Sequence, residues 1–183
     1  MNKILTILAL AFISSLNGQV VIGGATGSAG TNNTSVLLDF ATGQNKGIIV
    51  PYVRNLPTGA ALVPGSIILD ARTATAARMR YYNGTTWVDL SGQDAVLTTA
   101  LTSQPTIALA PETTNSKAII GATSSSADGV LVLESTTKAM ILPMVTDVQN
   151  IPSPSPGMMV YVNKAGAKRL AVYNGARWSF WKP

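Results

Sequence analysis

Cysteine and histidine are both missing from this chain of 183 residues. Without cysteine there is no disulfide staple, no thiolate metal site and no acceptor for a lipid anchor. Without histidine the commonest general base and metal ligand at neutral pH is gone. Charge is scarce as well: Asp, Glu, Lys and Arg make up 11% of the chain, against roughly 25% in ordinary soluble domains. A chain so poor in charge has little with which to cover apolar surface. It is expected to bury part of that surface against copies of itself or another partner.

These absences leave few chemistries. The acids are Asp39, Asp70, Asp89, Asp94, Glu112, Asp128, Glu134 and Asp147. They form no cluster of the kind that converges oxygens on one cation. A hydrolase working with a carboxylate pair needs only two of them at the right separation, but most fall at expected strand ends and turns, where acids are solvated. No serine lies in a G-x-S-x-G elbow. Gly23, Gly24 and Gly27 are followed by no Lys-Ser/Thr and no helical pattern, so they read as a glycine-rich turn rather than a phosphate loop. The reading is noncatalytic, with no cofactor and no metal. The 13 basic residues are scattered, with no run interleaved with aromatics, which argues against nucleic acid.

Residues 1–19 have a basic start at Lys3, an apolar core over 4–13 and a small polar end, Ser14 to Gln19. This is the pattern of a secretory signal peptide, with cleavage beside Gly18 or Gln19, too short to serve as an anchor. Losing Lys3 takes the formal charge from +5 to +4. The expectation is an exported protein, extracellular, surface-bound or periplasmic, with no membrane span once the signal is removed.

What is present is repetition. Residues 65–87, GSIILDARTATAARMRYYNGTTW, and 157–178, GMMVYVNKAGAKRLAVYNGARW, share one design: Pro-Gly, an apolar strand, a polar turn, a strand ending in Tyr-Asn-Gly, and a strand carrying Trp. Upstream, Lys46-Gly47-Ile48-Ile49-Val50-Pro51-Tyr52-Val53 matches Lys138-Ala139-Met140-Ile141-Leu142-Pro143-Met144-Val145. Val36-Leu37-Leu38 is matched to Val130-Leu131-Val132, and Ile22-Gly23 to Ile120-Gly121. Such self-similarity fixes the unit in which a fold is built. The prediction is an all-β fold of two repeated β-meander modules packed in tandem, with Gly/Thr-rich loops and little helix. Module 1 spans 20–92, a linker 93–117 and module 2 spans 118–183.

Local signals refine this. Asn83-Gly84 and Asn174-Gly175 are expected to make type I′ hairpin turns, which need positive φ at both central residues. Pro51 and Pro143 cannot donate to a ladder, so each marks an edge or a break. The segments 54–63 and 146–155 hold at most one helical turn between prolines. In the linker, Asp94 is a candidate cap for a short helix through Leu101, though the threonines there suit a strand equally.

Two sets of residues are candidates for binding. Trp87, Trp178, Phe180 and Trp181 fall on the last strand of each meander; exposed, they would stack sugar rings or anchor a protein partner, and buried, they would plug the small cores. Val20, Val21 and Ile22 form a candidate assembly strand, because open meanders leave edges whose N–H and C=O groups accept another chain. Each module has about 70 residues, a size at which one core seldom supplies more than about 3–5 kcal/mol. Stacking two modules helps, and association would help more.

Taken together, the signal segment ending in Gln19, then VVIGG, then KGIIVP, Pro-Gly and YYNGTTWV resemble a group of secreted Bacteroidetes proteins carrying fibre-like segments of the kind found in phage tail fibres. That resemblance implies a surface protein or adhesin. The expected partner is the protein itself, as a homo-oligomer or filament of an extracellular fibre or adhesive appendage, with other surface proteins or glycans as further partners. The alternative is a glycan-binding surface module that uses the tryptophans.

Overall fold

The computed structural model describes residues 19–30, 34–60, 62–104, 106, 108–111, 113 and 116–181. Residues 1–18 of the expected signal segment 1–19 lie outside them. The described chain is all-β: fourteen short strands, one five-residue helix and one 3-10 turn. Its two halves carry the same seven strands in the same order. In the first half these are β1 (Val20–Ile22), β2 (Val36–Phe40), β3 (Ile48–Ile49), β4 (Tyr52–Val53), β5 (Ile67–Asp70), β6 (Arg78–Tyr82) and β7 (Trp87–Asp89). In the second they are β8 (Ala118–Ile120), β9 (Leu131–Leu133), β10 (Ala139–Met140), β11 (Met144–Val145), β12 (Met158–Val162), β13 (Arg169–Tyr173) and β14 (Trp178–Trp181).

Both predicted meanders form: β5, β6 and β7 are antiparallel neighbours, and so are β12, β13 and β14. Each meander also gains a parallel strand on its open edge, β4 beside β5 and β11 beside β12. Parallel neighbours need a crossover connection, and the proline-bearing segments provide it. The second crossover holds the 3-10 turn Val148–Asn150, capped by Asp147 accepting from the Gln149 N–H. Pro51 and Pro143 break their strands as expected, separating β3 from β4 and β10 from β11.

The two strands cut off by these prolines cross between the copies. β3 pairs with Met158 and Met159 of β12, and β10 pairs with β2. The sheets are thus β1-β2-β10, β4-β5-β6-β7, β8-β9, and β11-β12-β13-β14 with β3 added to β12. Two apolar clusters lie beneath them. One joins Leu69, Met79 and Leu90 of the first copy to Leu97 of the connecting segment and to Met159 and Val172 of the second copy. The other gathers Val145, Ile151, Met158, Val160, Val162 and Ala171.

Several local expectations are corrected. The Asn-Gly turns are not type I′: Asn83 N–H donates to Thr86 O at 3.1 Å, which makes Gly84 and Thr85 the central pair. Only Gly84 (φ 100°) and its counterpart Gly175 (φ 108°) take positive φ there. The reason lies in the asparagine side chain. Oδ1 of Asn83 accepts from Thr85 and Thr86, and Oδ1 of Asn174 from Ala176 and Arg177, so each closes its turn from outside. Helix α1 (Thr98–Thr102) has Leu97 at its N-cap and no side-chain cap: Asp94 lies three residues before that position and is held by Arg78 at 2.6 Å.

The strand match in the first sheets shifts by one residue. Phe40 lies opposite Ile22 and Leu133 opposite Ile120, which makes Leu38 and Leu131 counterparts, and likewise Leu37 and Val130. Two of the acids expected in solvent are buried, Asp39 (0% exposed) and Asp70 (5%). Asp70 is paired with Arg72 and Arg80. Asp39 sits in a cradle made by the glycine-rich turn: Ser28 Oγ donates at 2.8 Å, Ala29 N–H at 2.9 Å and Phe40 N–H at 2.8 Å. Gly27 lets that turn approach, since a Cβ there would overlap the carboxylate. Burial pushes the Asp39 carboxyl up, but the three donors together outweigh it and hold it below the usual range.

Candidate functional site

Among the described residues no three His, Cys, Asp or Glu side chains come together as a metal site. The groove lined by Gln44, Asn45, Lys46, Gln149, Asn150 and Met158 holds one lysine and no carboxylate. No helix among the described residues is long and apolar enough to cross a membrane.

The aromatic candidates do not share one face. Trp87 is half-buried on β7, tilted against Tyr82 with ring centroids 5.5 Å apart. Trp178 repeats this on β14 against Tyr173 at 5.2 Å, and packs on the second core. Strand alternation then divides β14. Ser179 and Trp181 turn toward the seam between the copies, where the Ser179 hydroxyl donates to the Ser91 carbonyl and Trp181 Nε1–H donates to the Leu90 carbonyl at 2.7 Å. Trp178 and Phe180 turn the other way. Phe180 is 43% exposed and Trp181 45%, yet the Arg169 guanidinium lies 4.2 Å from the Phe180 ring centroid. That cation covers one face of the Phe180 ring, and the Trp181 N–H is already committed.

The turn asparagines differ in the same way. Asn83 is exposed. Asn174 is fully buried, and its Nδ2 donates to the Gln93 carbonyl at 2.8 Å, tying the second meander to the connecting segment.

Strand edges are the most distinctive feature of the surface. Val20, Val21 and Ile22 are not free: they pair in parallel with Leu38, Asp39 and Phe40 of their own chain. Among the described residues β9 pairs with β8 alone, and its Leu131 is 46% exposed beside Val130 at 64%. β3, among the described residues, pairs with β12 alone and leaves Ile49 50% exposed. None of these three residues stood out in the sequence. The available signal was an apolar strand with no charged gatekeeper in it, as edges in other proteins carry.

The described residues thus form an all-β surface with open apolar strand edges. Residues 119–182, the second repeat copy, match the family described as a phage tail like trimerisation region. Together with the fold, that match fits a structural, fibre-like protein. No curated protein and no solved structure matches the chain.

Proposed function

We propose that this protein is a noncatalytic, exported structural subunit that assembles with copies of itself, through β-strand pairing, into an extracellular fibre, filament or adhesive appendage. The observation that carries the reading is the coincidence of the family match at 119–182 with the copy whose strand β9 is left open. A family described by trimerisation favours a three-chain assembly. The scarcity of charge, 11% of residues, supports burial of surface between chains. Export rests on the N-terminal pattern of residues 1–19.

The test is mass in solution, by light scattering after size exclusion, over a hundredfold range of concentration. A defined trimer or a ladder of larger species is expected. A monomer at every concentration overturns self-assembly as the role. Mass spectrometry of the protein recovered outside the cytoplasm is expected to find its N-terminus beside Gly18 or Gln19, and an intact Met1 would overturn processing.

A further inference from the structure

The repeat makes an internal comparison possible. In the first copy, β2 sits between two neighbours, β1 on one side and β10 on the other. Its counterpart β9 has β8 on one side and nothing on the other among the described residues. The consequence is visible in burial. Leu37 and Leu38 are 3% and 1% exposed, whereas their counterparts Val130 and Leu131 are 64% and 46% exposed. The residues are of the same apolar kind; β9 lacks the outer neighbour that β2 has, and Leu37 is covered besides by the turn at Gly121.

The strand that fills this position in the first copy is β10, with Ile141 N–H donating to the Leu38 carbonyl at 2.9 Å. The counterparts of Met140 and Ile141 are Ile48 and Ile49, on β3. Val50 N–H donates to the Gly157 carbonyl at 3.1 Å, and β3 is antiparallel to β12. Alternation along such a pair points the N–H and C=O of Ile48 at β12 and those of Ile49 away from it. On β9, Ala118 N–H donates to the Val130 carbonyl and Glu134 N–H donates to the Ile120 carbonyl. In that parallel ladder Val132 faces β8, and the backbone groups of Leu131 face outward. One chain therefore displays, at two separate edges, the two halves of a contact it already makes once internally.

We infer that a second copy of this chain covers β9, with β3 of that copy adding in parallel. Ile49 N–H of one copy donates to the Leu131 carbonyl of the other, and Leu131 lies opposite Ile48, as Leu38 lies opposite Met140 within the chain. The internal β3–β12 pairing has a counterpart between the same two copies, because Met158 and Met159 correspond to Ser66 and Ile67. Residues 140–141 of the first copy would lie against residues 66–67 of the second. The contact is heterologous, since each chain gives β9 to one neighbour and β3 to another. Closure after three chains yields a trimer, and failure to close yields a filament.

This inference rests on the self-assembly proposed above and names its contact. The absence of cysteine makes it directly testable. Adjacent strands are about 4.8 Å apart, within the Cα separation of about 4.4–6.8 Å that a disulfide spans. Leu131→Cys and Ile48→Cys chains are prepared separately, mixed under mild oxidation and run without reductant. A disulfide-linked pair is expected in the mixture, in severalfold excess over either variant alone. Leu131→Lys, which places a charge on the open edge, is expected to weaken assembly at least about tenfold while leaving the far-ultraviolet circular dichroism of the dilute protein unchanged. Oligomers that form without the cross-link overturn this contact but leave self-assembly standing. A cross-link from Leu131→Cys to Val20→Cys in place of Ile48→Cys overturns it in favour of β1 as the donor. A monomer at all concentrations overturns both readings.

Discussion

Leu38 and Leu131 are the same residue at the same position of the repeat, one dry and one half in water, which makes them a controlled pair. Leu38 is 1% exposed between β1 and β10. Truncating it to alanine leaves a cavity among packed strands, and such losses run from about 2.7 to 5 kcal/mol. Leu131 is 46% exposed, so truncation in a dilute, unassembled chain removes contacts worth under about 1 kcal/mol. With a urea slope of about 2 kcal/mol per molar, Leu38→Ala is expected to lower the unfolding midpoint by about 1.4–2.5 M and Leu131→Ala by less than about 0.5 M. Tryptophan fluorescence suits the measurement, because Trp87 and Trp178 each lie on a meander. Raising the concentration until chains associate adds stability to the wild type by mass action. The Leu131→Ala deficit is then expected to grow while that of Leu38→Ala stays constant. Equal midpoint shifts for the two variants in the dilute, monomeric protein would refute the reasoning, since β9 would then be as covered as β2.

Two further outcomes follow from buried polar groups. The carboxyls of Asp39, Asp70 and Asp89 are held below their ordinary value; in each, burial raises the carboxyl and hydrogen bonds or ion pairs more than offset it. Groups depressed in this way contribute stability that is present above the unfolded carboxylate pKa of about 4 and is lost as pH falls through the lower folded values. Urea midpoints are accordingly expected to drop below about pH 4, and Asp39→Asn, which puts an amide where donors converge, is expected to cost about 2–3 kcal/mol at neutral pH and to flatten that drop. A variant with the wild-type pH profile would remove Asp39 from the account. Asn174→Ala empties a fully buried side-chain site and takes the partner from the half-buried Gln93 carbonyl and two turn N–H groups, and is expected to cost about 2–3 kcal/mol, whereas Asn83→Ala at the exposed turn costs about 1 kcal/mol or less; equal costs in thermal unfolding would contradict the burial difference.

The sequence by itself determined the repeat, the all-β class, the two meanders and the strand breaks at Pro51 and Pro143. Each of these is a local matter of period, turn chemistry and a missing N–H, readable within a few residues. Only the tertiary structure decided that β3 and β10 exchange between the copies, that the glycine-rich turn closes over Asp39, and that Trp181 spends its N–H on Leu90. It also separated Leu38 from Leu131, which no reading of the repeat distinguishes. The physical reason is that a strand carries the same pattern whether or not a neighbour lies beside it. Its neighbour is supplied by residues far along the chain, as β10 lies about a hundred positions after β2, and position in a sheet, centre or edge, is therefore a property of topology rather than of local sequence.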